Sequence, residues 1–227
     1  MPMDFFRIKK YMRIVASVLS FCVTWGVLLY SVFLSQAETV YCGKSFYFVA
    51  VQTHSVAVGS WDAQLSGGAG YPLSINGETQ VVLSVYLRVE DANMVVSSWN
   101  DGELSFIERK VECLYFQTPK EKKNKVLYIG ALNSMYGGIC ALEQVLYALD
   151  RGLPQKECAR ILRQIESVFS HNARAYEKNF AACAKVCQRA SKNLQNIAEG
   201  TIYGKDLRYA LCDLTVNYLK LTSIFSL

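Results

Sequence analysis

Residues 14–35, IVASVLSFCVTWGVLLYSVFLS, constrain this chain more than any other stretch. From Ile14 to Gln36 no Asp, Glu, Lys or Arg interrupts the run. Crossing the hydrocarbon core of a bilayer takes about 20 residues at a rise of 1.5 Å, so the segment is long enough to span one. Its apolar residues fall on every helical face, which a water-facing helix does not tolerate. The pattern predicts a transmembrane helix over 14–36. Arg7, Lys9, Lys10 and Arg13 precede it, whereas Gln36, Ala37 and Glu38 follow, and the next basic residue is Lys44. The positive-inside rule makes residues 1–13 a cytoplasmic tail and places everything after the span outside the cytoplasm. A cleaved signal peptide is the alternative, because Ser35-Gln36-Ala37 is a small-x-small pattern. Signal-peptide apolar regions run about 7–15 residues, shorter than this one, so a single-pass anchor in the cell membrane is expected.

The rest of the 227 residues suffices for one or two small domains. A net charge of +5 suits an anionic surface without calling for nucleic acid, and the densest basic run, residues 120–125, carries no RNA-binding signature. Of the eight cysteines Cys22 falls in the span, which leaves an odd set outside that cannot pair completely. No C-x-x-C occurs, and His54 and His171 are isolated, so neither a metal site nor a cofactor is expected. The thiols read as small buried hydrophobes, with one or two disulfides as the alternative. Catalysis is not expected either. The chain lacks H-E-x-x-H, a phosphate loop and G-x-S-x-G, and its carboxylates are scattered over presumptive helix surfaces. Gly67-Gly68-x-Gly70 follows a helical stretch and precedes a strand, the reverse of a nucleotide-binding turn.

From Phe46 the hydrophobic period changes to that of an α+β module. FYFVAVQ (46–52) reads as a strand, dense in aromatic and β-branched residues. A helix over 56–65 follows, with Trp61 and Leu65 on one face, and the glycines at 67, 68 and 70 stop it. YPLSIN (71–76) and TQVVLSVYL (79–87) read as strands joined through Asn76-Gly77, a strong hairpin signal. Glu90-Asp91 opens a second helix with a stripe of Ala92, Val95, Val96 and Trp99, and residues 103–116 supply a last strand. The order over 46–117 is β-α-β-β-α-β, a ferredoxin-like unit. In that arrangement both helices cover one sheet face and the other is left open for a ligand.

The residues resemble a family at this point. YFVAVQTH (47–54) is similar to the first strand of the SPOR domain, the sporulation-related repeat of bacterial envelope proteins. QVVLSVYL (80–87) followed by Glu90-Asp91-Ala92, and Gly70-Tyr71-Pro72 before a hairpin, match the family's third strand, its E-x-A helix and its second strand. The likeness covers residues 46–116. Ala50, Gln52, Val81 and Val85 depart from the family's usual residues. The resemblance implies binding of peptidoglycan glycan strands on the open sheet face, and a role in cell division or sporulation. Alternation along the strands makes Phe48, Gln52, Ser84 and Tyr86 the expected glycan-binding residues, with the aromatic rings stacking on sugars.

Residues 118–128, TPKEKKNKVLY, have the composition of a solvated linker, and 129–227 that of an antiparallel helical bundle. Leu132, Met135, Ile139, Leu142, Leu146 and Leu149 form one apolar stripe, with Gly137-Gly138 inside it. From Pro154, Cys158, Leu162, Ile165 and Phe169 continue through Cys183, Cys187, Ala190, Leu194 and Ile197 in steps of three and four. That is the seam of one long helix, with Pro154 at its start and Gly200 past its end. Leu207, Leu211, Leu214, Tyr218 and Leu221 make a third stripe, which Asp213 and Lys220 mark as a packed helix rather than a second span. The long seam exceeds what two partners cover and motivates self-association, and its basic surplus suits anionic lipid or wall polymer. The expectation is a non-catalytic, membrane-anchored envelope protein that binds peptidoglycan glycan. The alternative is a scaffold of a membrane complex whose βαββαβ unit and bundle bind protein partners.

Overall fold

The computed structural model describes residues 44–51, 53, 55–75, 78–99, 104–111, 114 and 119–223. The expected anchor, Gln52, the Asn76-Gly77 turn, and Cys22, Cys42 and Cys113 lie outside the described residues. The elements in chain order are β1 (Ser45–Val51), α1 (Val56–Leu65), β2 (Tyr71–Ile75), β3 (Glu78–Tyr86), α2 (Val89–Ser98) and β4 (Leu104–Lys110). Four helices follow: α3 (Pro119–Asp150), α4 (Gln155–Tyr176), α5 (Ala181–Glu199) and α6 (Gly204–Ser223). The class is α+β and mostly helical. No described helix is long and apolar enough to cross a membrane.

The strands form one antiparallel sheet in the order β2-β3-β1-β4. α1 stops where the glycines require. Gly67 adopts φ +83°, and the Gly68 N–H donates to the Ala63 carbonyl at 2.7 Å. Gly68 leaves little room for a side chain, since a Cβ there would lie 3.0 Å from the Ala63 carbonyl oxygen and from Leu83 Cδ2. Acidic Glu90 and Asp91 open α2, as the helix dipole favours.

One face of the sheet packs on α1 and α2 through Val49, Val81, Leu83, Ala63 and Ala92. The other face is covered as well. Phe46, Phe48, Ala50, Val82 and Val85 share one buried cluster with Leu132, Met135 and Ile139 of α3 and Leu214, Tyr218 and Leu221 of α6. Phe46 meets Tyr218 edge-on at 5.6 Å and Tyr136 at 6.2 Å. The expectation of a sheet face open to a ligand is therefore corrected: the chain's own helices occupy it. The reason is hydrophobic burial. An exposed row of Phe46, Phe48, Val82 and Val85 would leave several large apolar side chains in water, each worth about 1.5–3 kcal/mol when buried. Tyr41–Leu227 forms one compact unit.

Two helical expectations also change. Residues 119–128, read as linker, are helical and open α3, with Pro119 at the first position, where a missing N–H costs nothing. The single long helix over 154–197 is two helices folded back on each other. The Ser191 hydroxyl donates to Glu166 at 2.7 Å, and the Arg163 guanidinium reaches the Ala198 carbonyl at 3.5 Å, which fixes an antiparallel hairpin. Phe180 ends the turn and packs between Tyr128 and Tyr176. α3 passes close to α4 at Gly138, where a Cβ would lie 2.7 Å from Phe169 Cε2. The glycine that weakens α3 in isolation thus makes room for a buried ring. α3 ends at Gly152, φ +91°, with the Leu153 N–H returning to the Ala148 carbonyl at 2.9 Å.

Candidate functional site

Of the expected glycan residues, Gln52 lies outside the described residues, and Phe48, Ser84 and Tyr86 do not form one surface. Phe48 is 0 % exposed and points into the core under α3 and α6. Ser84 and Tyr86 are buried too, and Tyr86 packs on the opposite face with Val49 and Leu83. The register explains the split. Val49 pairs with Ser84 but Ala50 pairs with Val82, so Leu83 is an extra residue in β3, a β-bulge. Beyond it every side chain changes face, and Ser84 and Tyr86 part from Val82 and Phe48. The Ser84 hydroxyl is buried beside the Tyr86 phenol. A hydroxyl facing protein rather than water is not presented to a sugar.

Polar chemistry concentrates in two seams that the sequence reading passed over. The first joins α3 to the β3–α2 corner. Glu143 is buried, and its carboxylate accepts the Leu87 N–H at 2.9 Å. Beside it Asp91 accepts Tyr147 Oη at 2.9 Å and both arms of the Arg88 guanidinium at 3.0 and 3.1 Å. Burial pushes the Glu143 carboxyl above its ordinary value and Asp91 adds to this, while the Leu87 N–H and Arg88 oppose it. A raised native value means the folded chain holds a proton that the unfolded chain has released. Stability from this group is present below the unfolded value and is lost as pH rises through the folded one. Glu143→Gln keeps an acceptor for Leu87 and removes the titration. It is expected to flatten the fall in stability as pH rises above the ordinary carboxylate range, measured by urea unfolding. An unchanged slope would show that other groups set it.

The second seam ties β2 to α6 and α5. Asp213 Oδ1 accepts the Arg189 guanidinium at 2.8 Å, Asn217 Nδ2 at 3.2 Å and Tyr71 Oη at 3.4 Å. Burial first, then the Asp213 charge, raise the Tyr71 phenol well above its ordinary value. Nearby, a cleft of about 240 Å³ opens between α1, α5 and α6, lined by Gln64, Asn193, Asn196, Lys205 and Tyr209. Amides, one aromatic edge, the Lys205 ammonium and the Asp206 carboxylate give it hydrogen-bonding and charge chemistry. Cys140, Cys158, Cys183, Cys187 and Cys212 are free thiols. Burial pushes Cys183 up to about 11 and Cys187 up to about 12, so at neutral pH both are protonated and inert. Among the described residues no three His, Cys, Asp or Glu side chains converge as metal ligands.

Among the described residues, two further surfaces are open. A groove of about 330 Å³ runs between α4 and α5, floored by Ala173, Ala181 and Ala184 and flanked by Arg174 and Lys185. On the far side of the sheet, α1 exposes Val58, Trp61 and Leu65. The spacing of Trp61 and Leu65 was visible in the sequence, but the face they share is the outer one. Asp213 was visible as a charge inside an apolar stripe, whereas nothing local marks Arg189 or Glu143. No protein-family model, curated protein or solved structure matches the chain.

Proposed function

We propose that this chain is a non-catalytic scaffold, held at the cell membrane by residues 14–35 with its folded part outside the cytoplasm. On this reading the folded part binds protein partners. One observation carries the reading: the sheet face on which a ligand was expected is occupied by α3 and α6 of the same chain. A module that fills its own binding face offers partners its outer surfaces. The α4–α5 groove is lined by small residues with Arg174, Lys185 and Glu177 at its edges, so it suits a partner segment of mixed polar character whose acidic side chains meet the two cations. The antiparallel α3–α6 bundle braces that groove as one unit with the sheet.

A second reading keeps the glycan. The element order with strands β2-β3-β1-β4 is that of a ferredoxin-like unit, the arrangement that the SPOR resemblance implies. Such a ligand would sit in the Gln64–Asn193–Tyr209 cleft, whose amides and ring edge suit a hydroxylated sugar, and a role in division or sporulation would follow the family. Co-sedimentation of residues 38–227 with peptidoglycan, before and after amidase removal of stem peptides, separates the two. The scaffold reading expects no gain in binding on stem removal. A clear gain overturns it in favour of glycan.

A further inference from the structure

Helix α1 is built inside out. Its sequence, VAVGSWDAQL, places Gly59, Ala63 and, partly, Val56 against the protein and leaves its larger apolar side chains Val58, Trp61 and Leu65 outside. Val58 is 56 % exposed, Trp61 64 % and Leu65 69 %. Positions 58, 61 and 65 are three and four apart and therefore share one face. The inner face cannot take larger residues: a Cβ on Gly59 would lie 2.7 Å from Thr53 Cγ2. Asp62 is the helix's one charged residue. Met94 of α2, on the same side of the sheet, is exposed as well. A water-facing helix normally carries the opposite pattern, with its apolar stripe on the core.

From this face we infer that α1 is a membrane-interface contact, lying with Val58, Trp61 and Leu65 in the headgroup region of the bilayer. The inference rests on the reading of residues 14–35 as the anchor. Nine residues lead from Ser35 to Lys44, where the described residues begin. Fully extended they reach roughly 30 Å, so the folded unit cannot leave the neighbourhood of the surface. A chain held that near a bilayer meets it at high effective concentration, and even a small apolar face then stays engaged. Trp suits the position, because its ring is apolar and its indole N–H wants a polar partner, the balance found at headgroup level.

Size argues against a second copy as the occupant. Three partly exposed side chains offer a few hundred Å², well short of the roughly 800 Å² per partner of a standard protein interface. The same area is enough for an amphipathic face that sinks only about 5–10 Å into the headgroup boundary. Asp62 is the only charge on α1, so the stripe offers anionic lipid no basic partner. The contact is apolar insertion into a zwitterionic surface, and it does not depend on anionic lipid or weaken with salt.

The test uses the full chain with Trp25→Phe, reconstituted in phosphatidylcholine vesicles that carry bromine either high or deep on the acyl chain, with and without Trp61→Phe. Trp61 is exposed, so its replacement leaves the fold intact. The expected result is a blue-shifted Trp61 component, quenched more by the shallow bromines, unchanged in high salt and lost in Trp61→Phe. Flotation of the same vesicles reads the anchor separately. A chain that floats but shows no quenched Trp61 component overturns the inference and leaves the anchor standing. A Trp61 component that is blue-shifted yet unquenched overturns it in favour of a protein cover. A chain that does not float removes the anchor and the inference together.

Discussion

Replacing Phe48 with alanine is expected to lower the unfolding free energy by about 3–5 kcal/mol, the usual cost of truncating a fully buried ring. The ring is completely shielded from solvent, in the cluster that joins β1 to α3 and α6. Truncation removes its transfer energy and leaves a cavity between a sheet and two helices, which are held too far apart by Phe46, Tyr218 and Met135 to close over it. Urea unfolding of residues 38–227 measures the loss as a lowered midpoint at constant slope. Had Phe48 stacked on a sugar at an open face, the same substitution would abolish ligand binding at a cost below about 1 kcal/mol, as surface changes usually do. A small stability loss would therefore return the sheet face to candidacy as a binding site. A large one makes Phe48 a core residue and its aromatic character a matter of packing.

Much of the fold was legible because turn chemistry punctuates it. The glycines after Leu65, the Asn76-Gly77 pair and the acidic opening of α2 delimit β-α-β-β-α-β without reference to packing. The sidedness of the strands was harder to read. FYFVAV is nearly continuous in apolar residues, and such a run signals a strand buried on both faces. Taken as two alternating sets, one facing outward, it hid the cover that α3 and α6 provide. The bulge at Leu83 was not legible, because Val81, Val82 and Leu83 are all apolar and no alternation marks the slip. The hairpin at 177–180 escaped for a related reason. The core stripe of α4 resumes in α5 with the same spacing, and Glu177, Lys178 and Asn179 include neither glycine nor proline. The apolar pattern of each helix names a buried stripe but not the surface it meets. Asp213 and Arg189, 24 positions apart, are joined only by the fold.

Arg189→Met is expected to cost about 2 kcal/mol, the worth of a hydrogen bond to a charged group whose partner is left buried. The two partners are unequal. Asp213 is 3 % exposed while the Arg189 side chain is more than half in solvent, so removing the cation strands the anion and not the reverse. Tyr71 and Asn217 still donate to Asp213, which keeps the loss below that of breaking a fully buried ion pair. The double variant Arg189→Met/Asp213→Leu is expected to recover part of the loss, because an apolar side chain of similar volume carries no charge to desolvate. If the single change costs nothing, the pair is a rim contact and the seam is held by packing alone. The seam also bears on function, because it fastens α6 to β2 at the edge of the covered sheet face. Loosening it should speed amide exchange in β2 and β3. If that face were a glycan site closed by its own helices, Arg189→Met should also raise binding to amidase-treated peptidoglycan. The scaffold reading expects faster exchange and no gain in binding, since the residues uncovered, Phe48, Val82 and Val85, offer a sugar no hydrogen bonds.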